Sequence, residues 1–130
     1  MISNVRGKVM GIYVADCCAV FLHAPGRGVV GLAHAGAKGT RLGVVPATLR
    51  CMRERFGVQP SEIRALLSPC IRPPLYDWDF AAEITRQLSS AGVAEVADSG
   101  LCTGADTDRY YSYRIEKGRT GRMLALLALP

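Results

Sequence analysis

The sequence lacks any long apolar run. No stretch approaches the roughly 18 to 20 consecutive apolar residues of a membrane-spanning helix. The first ten residues, MISNVRGKVM, contain no apolar segment of the kind that a secretory signal needs. The sequence therefore favours neither a membrane protein nor a secreted one, and we expect a cytoplasmic protein. It also has no internal repeat, linker or low-complexity tract, and its 130 residues suit a single domain, 1–130.

The sequence also lacks any CxxC pair, although it contains five cysteines. An odd number of cysteines without a secretory signal argues against a disulfide framework. Without CxxC pairs, an ordinary structural zinc site is not indicated either. Free cysteines are commonly small core residues, and we expect at least three of the five to be so. The five are Cys17, Cys18, Cys51, Cys70 and Cys102.

Acidic residues are fewer than basic ones, 11 against 16, which gives a formal net charge of +5. The basic residues are dispersed, apart from a cluster at 50–55 that we interpret as the solvated face of a helix. Dispersed charge does not favour a nucleic-acid surface, which needs a basic patch. The other role that these basic residues could have is to bind a small anionic ligand such as phosphate, for which arginine is well suited.

Hydrophobic periodicity predicts strands that alternate with helices. The predicted helices run from Leu42 to Phe56, ended by Gly57, and around residues 80–88, begun by Asp77 or Asp79 and ended by Gly92. The predicted strands cover residues 11–15, 18–23, 29–34, 63–67, 93–97, 110–115 and 123–129. A Pro-Gly-Arg-Gly turn at 25–28 makes a hairpin of the strands on either side of it. This order predicts an α/β fold, a mixed sheet with helices packed on it.

Histidine is scarce, and His34 is the more informative of the two. It ends a predicted strand and is followed by small residues and glycines, just before a helix. Glycines allow a ligand to approach the backbone closely, and a helix N-terminus attracts anions. The sequence leaves two interpretations open: a ligand-binding histidine, or a histidine satisfied beside a tight turn.

Asp16 and Cys17 lie between two apolar segments, where an acidic residue is an unusual choice for a core. Asp16 could orient a histidine, bind a ribose hydroxyl or cap a turn. Cys17 could be a nucleophile or a soft metal ligand, and either role requires the thiolate. If the hairpin forms, Cys17 and His34 lie on adjoining strands. The alternative is a small core thiol.

Six motifs in order resemble the laccase-domain, or YfiH-type, family over nearly the whole chain from about Gly11. They are Ala15-Asp16-Cys17, the His34-Ala35-Gly36 segment with Gly39, Leu67-Ser68-Pro69-Cys70-Ile71, Cys102-Thr103, the run from Asp108 to Arg114, and Thr120-Gly121-Arg122. The resemblance implies an α/β fold with a single metal, zinc or alternatively copper, held by two histidines and a cysteine. Cys17 and His34 match the cysteine and one histidine. The implied activities are phosphorolysis or deamination of purine nucleosides and polyphenol oxidation.

The chain departs from the family pattern in two respects. Family members are commonly about twice as long, and the first metal-binding histidine precedes the part that this chain matches, so we expect an N-terminally shortened domain. Ala37-Lys38 replaces the usual Trp-Arg. Because a catalytic zinc has three protein ligands, two alone should bind it weakly, and no bound metal is the alternative. Cys18 or His23 could substitute, although strand alternation turns Cys18 away from Cys17.

Three functions are compatible with these observations. The first is a metal-dependent purine nucleoside enzyme, with Asp16, Cys17 and His34 as catalytic residues and nucleoside and phosphate as ligands. Its predicted substrate-binding residues are Lys38, Tyr113, Arg114 and Arg122. The second is a metal-free hydrolase or deamidase, in which His34 activates Cys17. The third is a degenerate binding protein with an exposed apolar patch that a homodimer would bury.

Overall fold

The computed structural model describes all residues, 1–130. In chain order the strands and α-helices are β1 (Ile2–Ser3), β2 (Met10–Val14), β3 (Cys18–Ala24), β4 (Val29–Ala35), α1 (Ala37–Arg41), α2 (Val44–Phe56), β5 (Arg64–Leu67), α3 (Phe80–Ser90), β6 (Glu95–Asp98) and β7 (Met123–Leu127). Short 3-10 turns lie at Pro25–Arg27, Pro60–Glu62 and Thr103–Ala105. None of the helices has the length and apolar character that crossing a bilayer requires.

Five strands form one sheet in the order β1-β4-β3-β5-β6. The sheet is mixed, as predicted, because β5 and β6 are parallel while the other neighbours are antiparallel. Helices α2 and α3 cover one face, where the larger apolar core lies. A separate two-stranded ribbon, β2 with β7, packs on the opposite face through a smaller core that includes Met10, Val14 and Leu32.

The predicted hairpin is confirmed in β3 and β4, whose register pairs Cys18 with Ala35 and Ala19 with His34. Gly28 closes the turn in the left-handed conformation, with φ of 58°. Side chains alternate between the two faces, so Cys18 enters the larger core and Ala19 enters the smaller one. Cys18 and Cys70 are buried and Cys102 packs half-buried against them, which agrees with the expectation that three cysteines serve the core.

The helix predicted from Leu42 to Phe56 is interrupted before its second turn. Gly43 adopts φ of 74° and separates α1 from α2, so Leu42 lies outside both helices. The predicted end is confirmed, since the left-handed Gly57 donates its N–H to carbonyl groups of the last turn of α2. At the start of α3, Asp79 is the cap, because Asp79 Oδ1 accepts the Ala82 N–H at 2.9 Å.

The strand predicted at residues 110–115 is wrong. These residues form turns, and their backbone groups do not enter a sheet ladder. The N–H of Arg114 donates to the Asp16 carboxylate, and the N–H of Ser112 donates to Glu116. The alternation of polar and aromatic residues here is typical of a strand. The backbone N–H groups, however, donate to side-chain carboxylates and not to a neighbouring strand. The strand predicted at 11–15 does form, although β2 pairs with β7 outside the hairpin.

Candidate active site

The connection between β2 and β3 bends at Asp16, which is buried and has a left-handed φ of 78°. Its Oδ1 accepts hydrogen bonds from the hydroxyls of Thr103 at 2.8 Å and Ser112 at 2.7 Å. Its Oδ2 accepts the N–H of Arg114 at 2.7 Å. A left-handed residue other than glycine costs about 1 kcal/mol, and three hydrogen bonds to a buried carboxylate more than offset that cost. Asp16 therefore fixes the bend and the loop at 112–114 together.

Cys17 follows directly and is half-buried. A Cβ at Gly36 would lie 2.5 Å from its Sγ, so the glycine after β4 is what leaves room for the thiol. Burial raises the pKa of the Cys17 thiol, and the Asp16 carboxylate raises it further, against the opposing charge of Arg122. The thiol is therefore protonated at neutral pH.

His34 is exposed near the end of β4, and its alternation with Val30 and Leu32 places it on the ribbon side of the sheet. Cys17 and His34 line one pocket of about 640 Å³, a size that suits a small-molecule ligand. The lining residues are Tyr13, Ala15, Asp16, Cys17, His34, Tyr76, Tyr113, Arg114, Lys117 and Arg122.

Two arginines stack on aromatic rings of this pocket. The Arg114 guanidinium lies 5.0 Å from the Tyr76 ring centroid, and that of Arg122 lies 5.3 Å from the Tyr113 centroid. Stacking orients a guanidinium and leaves N–H groups at its edge for an anion. In Arg122, Nη1 already donates to the carbonyl of Gly121 at 2.8 Å, so its other N–H groups are the ones that remain. The pocket therefore combines a thiol, an imidazole and oriented cations.

Most of the residues predicted from the sequence meet in this pocket: Asp16, Cys17, His34, Tyr113, Arg114 and Arg122. Lys38 does not line it and lies exposed on α1. Sequence reasoning missed Tyr13, Tyr76 and Lys117. The position of Lys117 between the two predicted arginines could have indicated that it lines the same pocket. Tyr76 follows a proline-rich segment with no recognisable motif, so the sequence offered no indication of its place.

A metal centre would need a third donor beside Cys17 and His34. No group of three or more His, Cys, Asp or Glu side chains is placed to hold a metal ion. Cys18 points into the core, and His23 lies at the far end of β3, roughly 17 Å along the strand. The Asp16 carboxylate already accepts three hydrogen bonds. These residues therefore do not fit the three-ligand catalytic zinc of the resemblance.

The fold and the site define an α/β protein with a cysteine–histidine pocket at one end of a mixed sheet. The model of the family described as multi-copper polyphenol oxidoreductase laccase matches the chain at residues 1–79 and 74–130. The chain belongs to this family, as the resemblance of its motifs predicted.

Several of the relatives that the chain matches are named purine nucleoside phosphorylase. The chain is 28% identical to purine nucleoside phosphorylase YlmD of Bacillus subtilis, with 98% of this chain and 57% of the relative covered. It is 32% identical to the purine nucleoside phosphorylase of Deinococcus radiodurans, with 100% and 60% covered. The crystal structure of YlmD from Geobacillus stearothermophilus superposes with a TM-score of 0.95 at 28% identity, covering 98% of this chain and 59% of that one.

The chain spans about three fifths of the length of these relatives. The match to the Bacillus subtilis protein is 158 positions long although this chain has 130 residues, so the relative carries additional residues inside the matched region. The family model matches the chain as two segments that share residues 74–79.

Proposed function

We propose that the chain is a purine nucleoside enzyme, and that its reaction is phosphorolysis of adenosine- or inosine-type nucleosides, with deamination as the alternative. The observation that carries this proposal is the meeting of Cys17, His34 and two arginines in one pocket. The names of the relatives support the purine nucleoside as substrate.

In this proposal the side chains of the pocket divide the work of phosphorolysis. Arg114 and Arg122 hold the phosphate, while Tyr113 provides an apolar surface for the nucleoside. A phosphate oxygen bonds to C1′ of the ribose as the C1′–N9 bond breaks, and the departing purine takes up a proton. We assign the supply of that proton to His34, the imidazole that lines this pocket. Asp16 acts on the pocket through the bend that it holds.

Zinc, or alternatively copper, remains a proposal for this chain. Cys17 and His34 would be its ligands, and a bound metal would supply Lewis-acid polarisation of water or phosphate. Two donors, one of them a thiol with a raised pKa, support only weak binding. We therefore assign the reaction steps to the side chains.

The test is to incubate the purified chain with inosine and phosphate and to separate the products by chromatography. Hypoxanthine and ribose 1-phosphate are expected, with loss of product in His34→Ala and little change in the control Cys51→Ala, which alters an exposed cysteine on α2. Ammonia released from adenosine would support deamination instead. No turnover of either nucleoside, with or without added zinc or copper, would overturn the proposal.

The two other functions receive unequal support. A cysteine–histidine hydrolase needs a Cys17 thiolate, and the raised pKa of this thiol opposes it. A binding protein that forms a homodimer is supported by the outer face of the β2–β7 ribbon, where Leu124 and Leu126 are 49% and 56% exposed. A homodimer is compatible with the enzyme as well. A cytoplasmic location remains a prediction from the sequence.

A further inference from the structure

The candidate active site contains more positive charge than its proposed substrates require. Arg114, Lys117 and Arg122 line it, whereas its one carboxylate, Asp16, is engaged in three internal hydrogen bonds. Arg114 has an ion pair with Asp77 at 3.5 Å, but Asp77 is 92% exposed, so water screens this pair. Neither Lys117 nor Arg122 has a carboxylate partner within 4 Å. A nucleoside is neutral, and the phosphate of the proposed reaction is assigned to Arg114 and Arg122, so Lys117 is left without an anionic partner.

Lys117 occupies a position where glycine would be expected. Its φ is 53°, in the left-handed region, and the next residue, Gly118, is left-handed too at 80°. Lysine in this conformation costs about 1 kcal/mol relative to glycine. Gly118 packs against the ring of Tyr113, where an added Cβ would lie 3.3 Å from the ring. The turn thus keeps the exposed side chain of Lys117 in the lining of the pocket that also contains Tyr113, on which Arg122 stacks.

The pocket opens to solvent on the side of these cations. Tyr113 is 55% exposed, and the Arg114 side chain is 50% exposed. A ligand longer than a nucleoside therefore has room to extend past these side chains.

We propose that the pocket binds a phosphorylated nucleoside, a nucleoside mono- or diphosphate, with Lys117 as a specificity-determining residue for its phosphate groups. This inference rests on the proposed function, since it places the purine nucleoside in the same pocket and adds the phosphate. Tyr13, Tyr76 and Tyr113 offer aromatic surface for the base. A phosphate monoester carries about 1.5 to 2 negative charges at neutral pH, which matches cations that have no carboxylate partner.

The test is calorimetric titration of the chain with adenosine, AMP, ADP and inorganic phosphate, each alone. AMP is expected to bind about tenfold more tightly than adenosine, and ADP more tightly than AMP, with affinity that falls as salt rises. Lys117→Gln should weaken binding of AMP and ADP about fivefold and leave adenosine unchanged. Lys117→Gly should weaken the binding of AMP and ADP by the same factor, although this substitution relieves the strain of the left-handed backbone. Lys8→Gln removes an exposed charge outside the pocket and serves as the control.

Each outcome separates this inference from the proposed function. If adenosine binds as tightly as AMP, or if Lys117→Gln leaves AMP affinity unchanged, the inference is wrong while a nucleoside enzyme remains. If AMP binds no more tightly than inorganic phosphate, the cations form an anion site alone, and the inference is wrong. If no nucleoside or nucleotide binds, the proposed function fails with it.

Discussion

The Oγ of Ser112 donates a 2.7 Å hydrogen bond to Oδ1 of Asp16, although the two residues are 96 positions apart in the chain. Both are buried. This bond ties the loop that carries Arg114 to the bend that carries Cys17. The loop that carries Arg114 and the bend that carries Cys17 are therefore positioned by one carboxylate.

Replacing Asp16 should destabilise the fold. Asp16→Ala removes the acceptor of three hydrogen bonds and leaves the buried hydroxyls of Thr103 and Ser112 without their partner, so we expect a loss of about 3 kcal/mol. Asp16→Asn should cost less, because the amide keeps one accepting oxygen. Chemical denaturation measures the difference. Asp108→Ala, which removes an exposed carboxylate from the loop after Thr103, should change the free energy of unfolding by no more than about 0.5 kcal/mol. An equal loss of stability in both alanine variants would contradict the role of Asp16.

Alkylation of Cys17 should be slow at neutral pH and should accelerate as the pH rises. Burial and the charge of Asp16 raise the pKa of this thiol, and only the thiolate reacts with iodoacetamide. Because the charge of Arg122 lowers that pKa, Arg122→Gln should shift the profile to still higher pH. Peptide mass spectrometry reports the rate at Cys17, with Cys17→Ser as the control for peptide assignment. Rapid alkylation at pH 7 would show that the thiolate forms, and would revive the hydrolase hypothesis.

Metal content should be substoichiometric. The chain offers Cys17 and His34 as donors and no third side chain within reach, so we expect well under one zinc per chain after gel filtration. Elemental analysis of the wild type beside Cys17→Ala and His34→Ala makes the measurement. One zinc per chain, lost in both variants, would show that two side chains suffice here and would restore the metal-dependent mechanism.

Removing one arginine of the pocket should weaken phosphate binding. Arg122→Gln is expected to reduce the affinity for inorganic phosphate about tenfold, because a charge-assisted hydrogen bond is lost in a partly enclosed pocket. Arg119→Gln is the matched control, since Arg119 lies three residues away and does not line the pocket. Calorimetric titration with phosphate compares the two. Equal affinities would remove Arg122 from the proposed phosphate site.

Self-association should depend on the outer face of the ribbon. Leu124 and Leu126 lie on this face, 49% and 56% exposed, and substitution of either by lysine adds charge without disturbing the core. We expect a concentration-dependent homodimer in sedimentation that Leu126→Lys abolishes. Leu42→Lys, at a residue that is 76% exposed outside both helices, should leave it intact. A wild-type chain that sediments as a monomer at all concentrations would remove the homodimer from the proposal.

Local physics in the sequence determined much of the fold. The apolar alternation of β3 and β4 around the Pro-Gly-Arg-Gly turn predicts the hairpin, because a period of two must place one set of side chains on each face of a sheet. The spacing of Val45, Leu49 and Met52, ended by Gly57, predicts most of α2 for the corresponding reason. The sequence also singled out Cys17 and His34, through the acidic Asp16 beside the thiol, the glycines after the histidine and the resemblance of both motifs to the family.

Only the tertiary structure decided how distant segments meet. The pairing of β2 with β7 joins the two ends of the chain, and no local pattern specifies such a partner. The loop after Tyr110 forms turns where alternation predicted a strand, since the Asp16 carboxylate competes successfully for its backbone donor. Lys117 lines the pocket because its loop is anchored by the hydrogen bond from Ser112 to Asp16. The sequence thus determined most of the side chains that could carry chemistry. The tertiary structure decided that Lys117 joins them and Lys38 does not, because the buried Asp16 carboxylate holds the loop that precedes Lys117 against the bend at Cys17.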